Sequence, residues 1–403
     1  YMLEVMATGA NRTPRQVYVS AMVDAIDMLR AGTTAVVDHF SHRPAQSFEV
    51  VEAAFRAYAD IGIRAAVAPM YADRPYHETV PWARLPEARP PDPAIGRAYF
   101  EVLEAIAPAW QDRHGRLRLL IGVDGPQRCT PSLLEMTGDF ARRSGLGLHT
   151  HLLETKTQAM MAPAETNYSF VRLLDRYGLV NPRSSFVHFV WCNDADIDMV
   201  AERGANVVHV PASNLMLGSG IQPAIWLLER GITVALGADG GMSGAPSMFE
   251  RARLAALLSR ITSVEHERWI GARQALLMAT QAGGQVLGYG GELGQLAVGA
   301  RADVVLLDAR NASWRPAGDP INHLVYYESG ANVETVIVEG EIVLKDRRFT
   351  RIDEAALLAE AEILAREALG AAGPALAELA TQRSAYRTMI SRAMQASLPQ
   401  QRF

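Results

Sequence analysis

With 403 residues, 49% of them apolar and 21% charged, the chain has the make-up of a globular protein with core enough for one large domain and a small one. Its formal net charge of −5 comes from well-mixed acidic and basic residues, which argues against a nucleic-acid partner, and no run of about 18 apolar residues offers a membrane span. Two cysteines, Cys129 and Cys192, are too few to staple so long a chain, so a reducing, cytoplasmic setting is expected.

Taken in chain order, Tyr1 opens directly into a helical pattern. Pro14–Arg30 carries Val17, Ala21, Ala25, Met28 and Leu29 at helical spacing, and Gly32 stops it. From there, short β-rich runs alternate with amphipathic helical stretches. The predicted strands are 34–40 (TAVVDHF), 64–70 (RAAVAPM), 118–123 (RLLIGV), 147–152 (GLHTHL), 185–190 (SFVHFV), 206–210 (NVVHV) and 233–237 (TVALG). This rhythm predicts a parallel sheet with helical crossovers. After about residue 290 it changes. Residues 291–307 and 333–344 read as short antiparallel strands, and 353–369 and 375–394 as terminal helices. The divisions expected are a barrel over 1–290, a small β-domain over 291–349 and a helical tail over 350–403. The apolar tail permits a homodimer.

Several predicted strands end in polar groups: Asp38 and His39, Gln127 and Arg128, His151 and Glu154, His188, Ser213 and Asn214, and Asp239. A (β/α)8 barrel collects its chemistry at the C-terminal strand ends. A doubly wound sheet, the alternative, gathers ligands near one switch point. Seven strands fall one short of a barrel, and the missing one would be the first.

The segment HTHLLE (149–154) places His149 and His151 on one face of a strand. A neutral imidazole is a ligand for Zn2+ or Fe2+, and Glu154, just beyond, can shuttle protons. Alone, each candidate has a plainer reading. His188 in FVHFVW fits a satisfied core histidine, Asp239 in GADGG a turn or capping carboxylate, and Glu154 a solvated loop charge. Together, His151, His188 and Asp239 stand at three different strand ends. There a bound metal could activate hydroxide, with Glu154 carrying the proton to the leaving group.

The motifs HLLET, VHFVW, VHVPASNLMLGSG and LGADGG, in this order, resemble the consecutive strand-5 to strand-8 motifs of the amidohydrolase superfamily. The branch is that of cytosine and guanine deaminases and triazine hydrolases. LRAGTTAVVD resembles the segment around its second strand, and GELGQLAVGARADVVLLD its return into a β-sandwich domain. The likeness covers roughly residues 14 to 345. It implies a (β/α)8 TIM-type barrel with a small β-sandwich domain and C-terminal helices. It implies His151 and Asp239 as metal ligands, Glu154 as general acid/base, His188 beside the metal water, and loop structure for Ser213 and Asn214. One divalent metal is expected, zinc in preference to iron. The family also begins with a strand ending in His-x-His, which this sequence lacks. That segment is expected upstream of residue 1, with about 60 residues more at typical element lengths.

Such a site fits a deaminase that attacks an sp2 ring carbon of an N-heterocycle by metal-activated hydroxide and releases ammonia. Arg128 is a forked donor suited to a carbonyl oxygen and an adjacent ring nitrogen, and Gln127 offers donor and acceptor. Either could equally brace a loop. Tyr71 and Trp191 could stack on a planar ring or serve as structural aromatics. Many deaminases of the branch carry His in place of this Gln-Arg pair. An oxopurine or pterin is therefore expected: guanine, 8-oxoguanine or an isoxanthopterin-like ring. The neighbouring expectation is a triazine-type chlorohydrolase or N-alkylamine hydrolase, and a reading of another class is a non-catalytic barrel without metal.

Overall fold

The computed structural model describes residues 2–43, 45–81, 93–163, 166–316, 318–400 and 402. Short runs of Ala, Val, Ile and Leu form its parallel strands because both faces of each are covered, one by outer helices and one by the barrel interior. They are β1 (Ala35–Asp38), β2 (Arg64–Val67), β3 (Met70–Tyr71), β4 (Leu117–Leu119), β5 (Ile121–Val123), β6 (Leu148–Leu152), β7 (Ser184–His188), β8 (Asn206–His209) and β9 (Val234–Leu236). Pairing runs β1-β2-β4 in one ladder and β3-β5-β6-β7-β8-β9 in the other. β2 and β3 are halves of one strand broken at residues 68–69, and β4 and β5 halves of another broken at Leu120. Beside the breaks the two strands run so close that only glycine fits: a Cβ on Gly122 would lie 2.4 Å from the Pro69 carbonyl oxygen.

The two ladders thus join into seven parallel strands in sequence order, with helices between them on the outside, which is TIM-barrel topology. Among the described residues, β1 and β9 are each paired on one side only. The helix Phe48–Ile61 shows how the outer layer forms. The Ser47 hydroxyl caps its first turn, Gly62 ends it at φ 92°, and Val50, Val51, Ala54, Phe55, Tyr58 and Ile61 make the face it buries. Each large side chain on such a face contributes roughly 1.5–3 kcal/mol.

Downstream lies an antiparallel sheet of β10 (Val304–Leu307), β11 (Val333–Val338), β12 (Glu341–Lys345) and β13 (Arg348–Phe349). The strand expected over 291–307 is confined to its last four residues. Gly291, Gly294 and Gly299 all take positive φ, so the earlier part turns instead of extending. The fully buried Arg64 ties sheet to barrel: it pairs with Asp303 and Glu339. Two helices follow. Glu354–Ala371 packs on Pro14–Arg30, with Arg30 and Glu354 paired at 2.6 Å. Gly373–Gln395 packs on Lys156–Met160, the helix that follows β6. No described helix is long and apolar enough to cross a membrane. Cys129 and Cys192 are buried free thiols.

Candidate active site

Parallel strands put their C-terminal ends on one side, and there a cavity of about 1560 Å3 opens. His149 and His151 both line it, as the two-residue strand period requires. In the β6–β7 register Leu152 faces His188. The rings of His151 and His188 consequently stack, with centroids 5.5 Å apart. Asp239, just beyond β9, lines the same cavity. His188 and Asp239 hold left-handed backbone, at φ 72° and 63°, a conformation that costs a non-glycine residue about 1–3 kcal/mol and clusters at functional sites. The fold holds His188 there through Gln222, whose Nε2 donates to the His188 carbonyl at 2.5 Å.

Each ring is fixed through Nδ1. That of His151 lies 2.7 Å from the Asp124 carbonyl oxygen. A carbonyl only accepts, so Nδ1 carries a proton and Nε2 is the nitrogen left to face the cavity. His188 Nδ1 donates in the same way to Asn214 Oδ1 at 2.9 Å, and His149 Nδ1 lies 2.6 Å from Ser185 Oγ. Metal-ligating imidazoles are oriented by this kind of bond. His39, beyond β1, completes the cluster: its ring is 4.6 Å from that of His151 and 5.1 Å from that of His149. Both His39 nitrogens are buried without a protein partner. Burial, then the neighbouring imidazoles, hold His39 well below its ordinary pKa and His149 at about 3, so both are neutral at physiological pH. Burial pushes the Asp239 carboxyl up, but His188, His151 and the Ser213 hydroxyl outweigh it and hold the group below the usual carboxylate value.

Glu154 follows β6 on a turn braced from the next helix. Gln158 Oε1 accepts the Glu154 N–H at 2.7 Å, and its Nε2 stands 3.4 Å from Glu154 Oε2. Gln127 and Arg128 occupy a single 3-10 turn, Pro126–Arg128, after β5, and both line the cavity. Asp124 Oδ2 pairs with Arg128 Nη1 at 3.2 Å and with Arg43 Nη2 at 3.6 Å. Gln127 Oε1 is buried with no partner. Trp191 lines the cavity and anchors its indole N–H on the Ser219 carbonyl at 2.8 Å.

Two expectations need correction. Tyr71 does not face the cavity. It is a core residue, its ring 3.8 Å from that of Tyr99 and its hydroxyl 2.5 Å from Thr137 Oγ1; Tyr76 lines the cavity instead. Ser213 and Asn214 do not form a loop. They sit in the helix Pro211–Leu217, from which Ser213 donates to Asp239 Oδ2 and Asn214 accepts from His188. Sequence reasoning also passed over Asp124, Gln158, Ser185 and Gln222, whose types carry no motif. His39 was visible only as a polar strand end.

Among the described residues, no three His, Cys, Asp or Glu side chains close into one ligand set. The chemistry of the donors nevertheless fits a divalent ion: Nδ1-anchored imidazoles, two orphaned buried ring nitrogens on His39 and an ionised carboxylate.

The amidohydrolase family model matches residues 4–343. The chain belongs to the amidohydrolase family. This amidohydrolase is 32% identical over 360 residues to the 5′-deoxyadenosine deaminase of Methanosarcina mazei, covering 89% of this chain and 77% of that one. It is also 32% identical over 356 residues to the 5-methylthioadenosine/S-adenosylhomocysteine deaminase of Dictyoglomus thermophilum, with coverage of 88% and 77%. An adenosine deaminase from Xanthomonas campestris, solved with bound zinc, superposes with a TM-score of 0.77 at 28% identity, covering 89% and 76% of the two chains. An atrazine chlorohydrolase from Arthrobacter aurescens gives 0.78 at 24% identity, over 87% and 77%, and at that identity bears on fold alone. Family, fold and enzyme class are those expected: a metal-dependent hydrolase of the deaminase type on a TIM-type barrel. The two curated relatives are named for adenosine derivatives, not for an oxopurine or pterin.

Proposed function

We propose that this amidohydrolase adds water to the amine-bearing sp2 carbon of a purine-like ring and releases ammonia. The observation that carries the reading is the set of three polar groups on one cavity wall: His151 and His188, each with Nδ1 engaged, and the ionised Asp239. A divalent ion held by His151 and Asp239, zinc rather than iron, would supply a water acidified towards neutrality. The zinc in the Xanthomonas adenosine deaminase supports that choice. Asp239 takes the proton of the attacking water, and His188 aligns that water through its Nε2 lone pair. Glu154 relays that proton from Asp239 to the departing amine as the C–N bond breaks, and Asp239 then moves the proton of the new hydroxyl to the ring nitrogen, so that a ring carbonyl and ammonia result.

The ring this site's own residues fit is an oxopurine or pterin. One carboxylate, Asp124, is shared by two guanidiniums, so Arg128 keeps donor capacity for a ring carbonyl, and Gln127 brings an unpaired acceptor for a ring N–H. A second reading, a 5′-modified adenosine, is favoured by the named activities of the two curated relatives. The zinc-loaded protein is to be assayed with guanine, 8-oxoguanine, isoxanthopterin, 5′-deoxyadenosine, 5′-methylthioadenosine and a chlorotriazine. Ammonia from the oxo rings sustains the first reading, and ammonia from the adenosines alone the second. Chloride or alkylamine release moves the chain to triazine chemistry. Turnover of none of them sinks the proposal, and absence of bound metal on elemental analysis of the full-length protein favours a non-catalytic scaffold.

A further inference from the structure

The C-terminal helix Gly373–Gln395 turns one face into the same cavity. Arg383, Tyr386, Arg387, Ile390, Ser391 and Met394 line it at three- and four-residue spacing. The helix is fastened on both sides of that face. Arg383 pairs with Glu4, and the ring of the buried Tyr386 sits 6.4 Å from that of Tyr76. Lys156 Nζ, two residues past Glu154, donates to the Met394 carbonyl at 2.7 Å, one of the last-turn carbonyls a helix leaves open. Beyond the helix, Arg402 donates to the carbonyls of Val190 at 2.6 Å and Cys192 at 2.8 Å, and its own carbonyl accepts the Ile221 N–H at 2.7 Å. The tail is thus strapped over the loops that follow β7 and β8.

Six Lys or Arg side chains line the cavity, and five are engaged: Arg12 with the Ser41 carbonyl, Arg43 and Arg128 with Asp124, Lys156 with Met394, Arg383 with Glu4. Arg387 is the sixth, and its guanidinium has no hydrogen bond or ion pair among the described residues.

We infer that this helix is the specificity wall of the site, and that Arg387 binds an anionic oxygen, carboxylate or phosphate, on the substituent the ring carries. The inference rests on the ring-binding reading above, but not on turnover. Equilibrium dialysis tests it, using the zinc-loaded full chain with guanosine, guanosine 5′-monophosphate and guanosine 5′-carboxylate, and with the three corresponding adenosine compounds. At least one anionic member is expected to bind about tenfold tighter than its neutral parent, the scale of one charge-assisted hydrogen bond. The phosphate and carboxylate arms say which group is read. In Arg387→Gln the ratio is expected to collapse to about one, and in Arg387→Glu to invert. Equal binding of neutral and anionic compounds, a preference that survives Arg387→Gln, or binding of none of the six overturns the inference. Ammonia is measured in the same samples. Anion preference without ammonia keeps the wall and sinks the proposed reaction; ammonia without preference does the reverse.

Discussion

The Asn214 amide oxygen accepts the His188 Nδ1 proton at 2.9 Å, and this bond decides which ring nitrogen faces the cavity. It is built by a helix, because Pro211 starts Pro211–Leu217 directly after β8 and brings Asn214 under the neighbouring strand end. Without the acceptor, the imidazole is free to move its proton to Nε2 and lose the lone pair the reaction uses. Asn214→Leu is expected to lower kcat by about 10–100-fold, and Asn214→Asp, which keeps an acceptor oxygen, by clearly less. Steady-state kinetics on both variants, with circular dichroism as the fold control, check this. Wild-type kcat in Asn214→Leu would reduce the contact to packing.

Asp239 and Glu154 are testable without disturbing the backbone. Asp239 sits at φ 63°, where Asn is among the few side chains that rest comfortably, so Asp239→Asn keeps the turn while removing the proton acceptor and the charged oxygen proposed to hold the metal. Glu154→Gln keeps an oxygen for the Gln158 amide but cannot carry a proton. Each is expected to lose at least about 100-fold in kcat/KM, with the thermal midpoint moved by no more than a few degrees. Turnover above about a tenth of wild type in either variant would remove that residue from the acid–base chemistry.

Much of this was legible in the chain itself, for a physical reason. Doubly covered barrel strands are apolar throughout and end where they meet polar groups, so VALGADGG and LHTHLLE announce both strand and site. What stayed hidden depends on the direction of a side chain. Tyr71 and Tyr76 are equivalent in sequence terms, and only the pleat of the two-residue β3 sends the first into the core. Ser213 and Asn214 resembled loop residues until the helix begun by Pro211 aimed them at Asp239 and His188. The tail reads as helix from its periodicity, but nothing local says that its face closes the cavity 238 residues away in the chain, a contact set by Lys156 and Met394.

Away from the site, Glu328 offers a pH test. Burial pushes its carboxyl up, but bonds from Asn332 Nδ2 at 2.8 Å, Trp314 Nε1 at 3.0 Å and the N–H groups of Gly330 and Ser329 outweigh that and hold its pKa below the ordinary value. Between the native and unfolded pKa values the unfolded chain binds the extra proton, so the native state gains stability as pH rises through that window. The contribution is complete above the ordinary glutamate value and is lost as pH falls through the native one. The stability gap between wild type and Glu328→Gln is therefore expected to be widest near neutral pH and to shrink in acid. Urea midpoints at about pH 7 and about pH 3.5 measure it. A gap of the same size at both would mean that the carboxylate's charge plays no part.

Arg64 tests the joint between barrel and sheet. Its Nε and Nη2 meet the two oxygens of Asp303 at 2.9 and 2.8 Å, Nη2 also reaches Glu339, and Nη1 donates to the Gly115 carbonyl at 2.6 Å. The Arg64 side chain is 0% exposed and that of Asp303 5%. Arg64→Met fills similar space but leaves Asp303 as a buried carboxylate stripped of its main partner, which costs about 3–5 kcal/mol. Asp303→Leu on top of it removes the stranded charge, so the double variant is expected to recover much of that loss, as replacing both members of a buried pair often does. Urea unfolding of the two single variants and the double one gives the coupling directly. If the double variant were as unstable as the sum of the singles, Arg64 would act through its packing on Tyr289, 4.8 Å from the ring centre, and not through the ion pair.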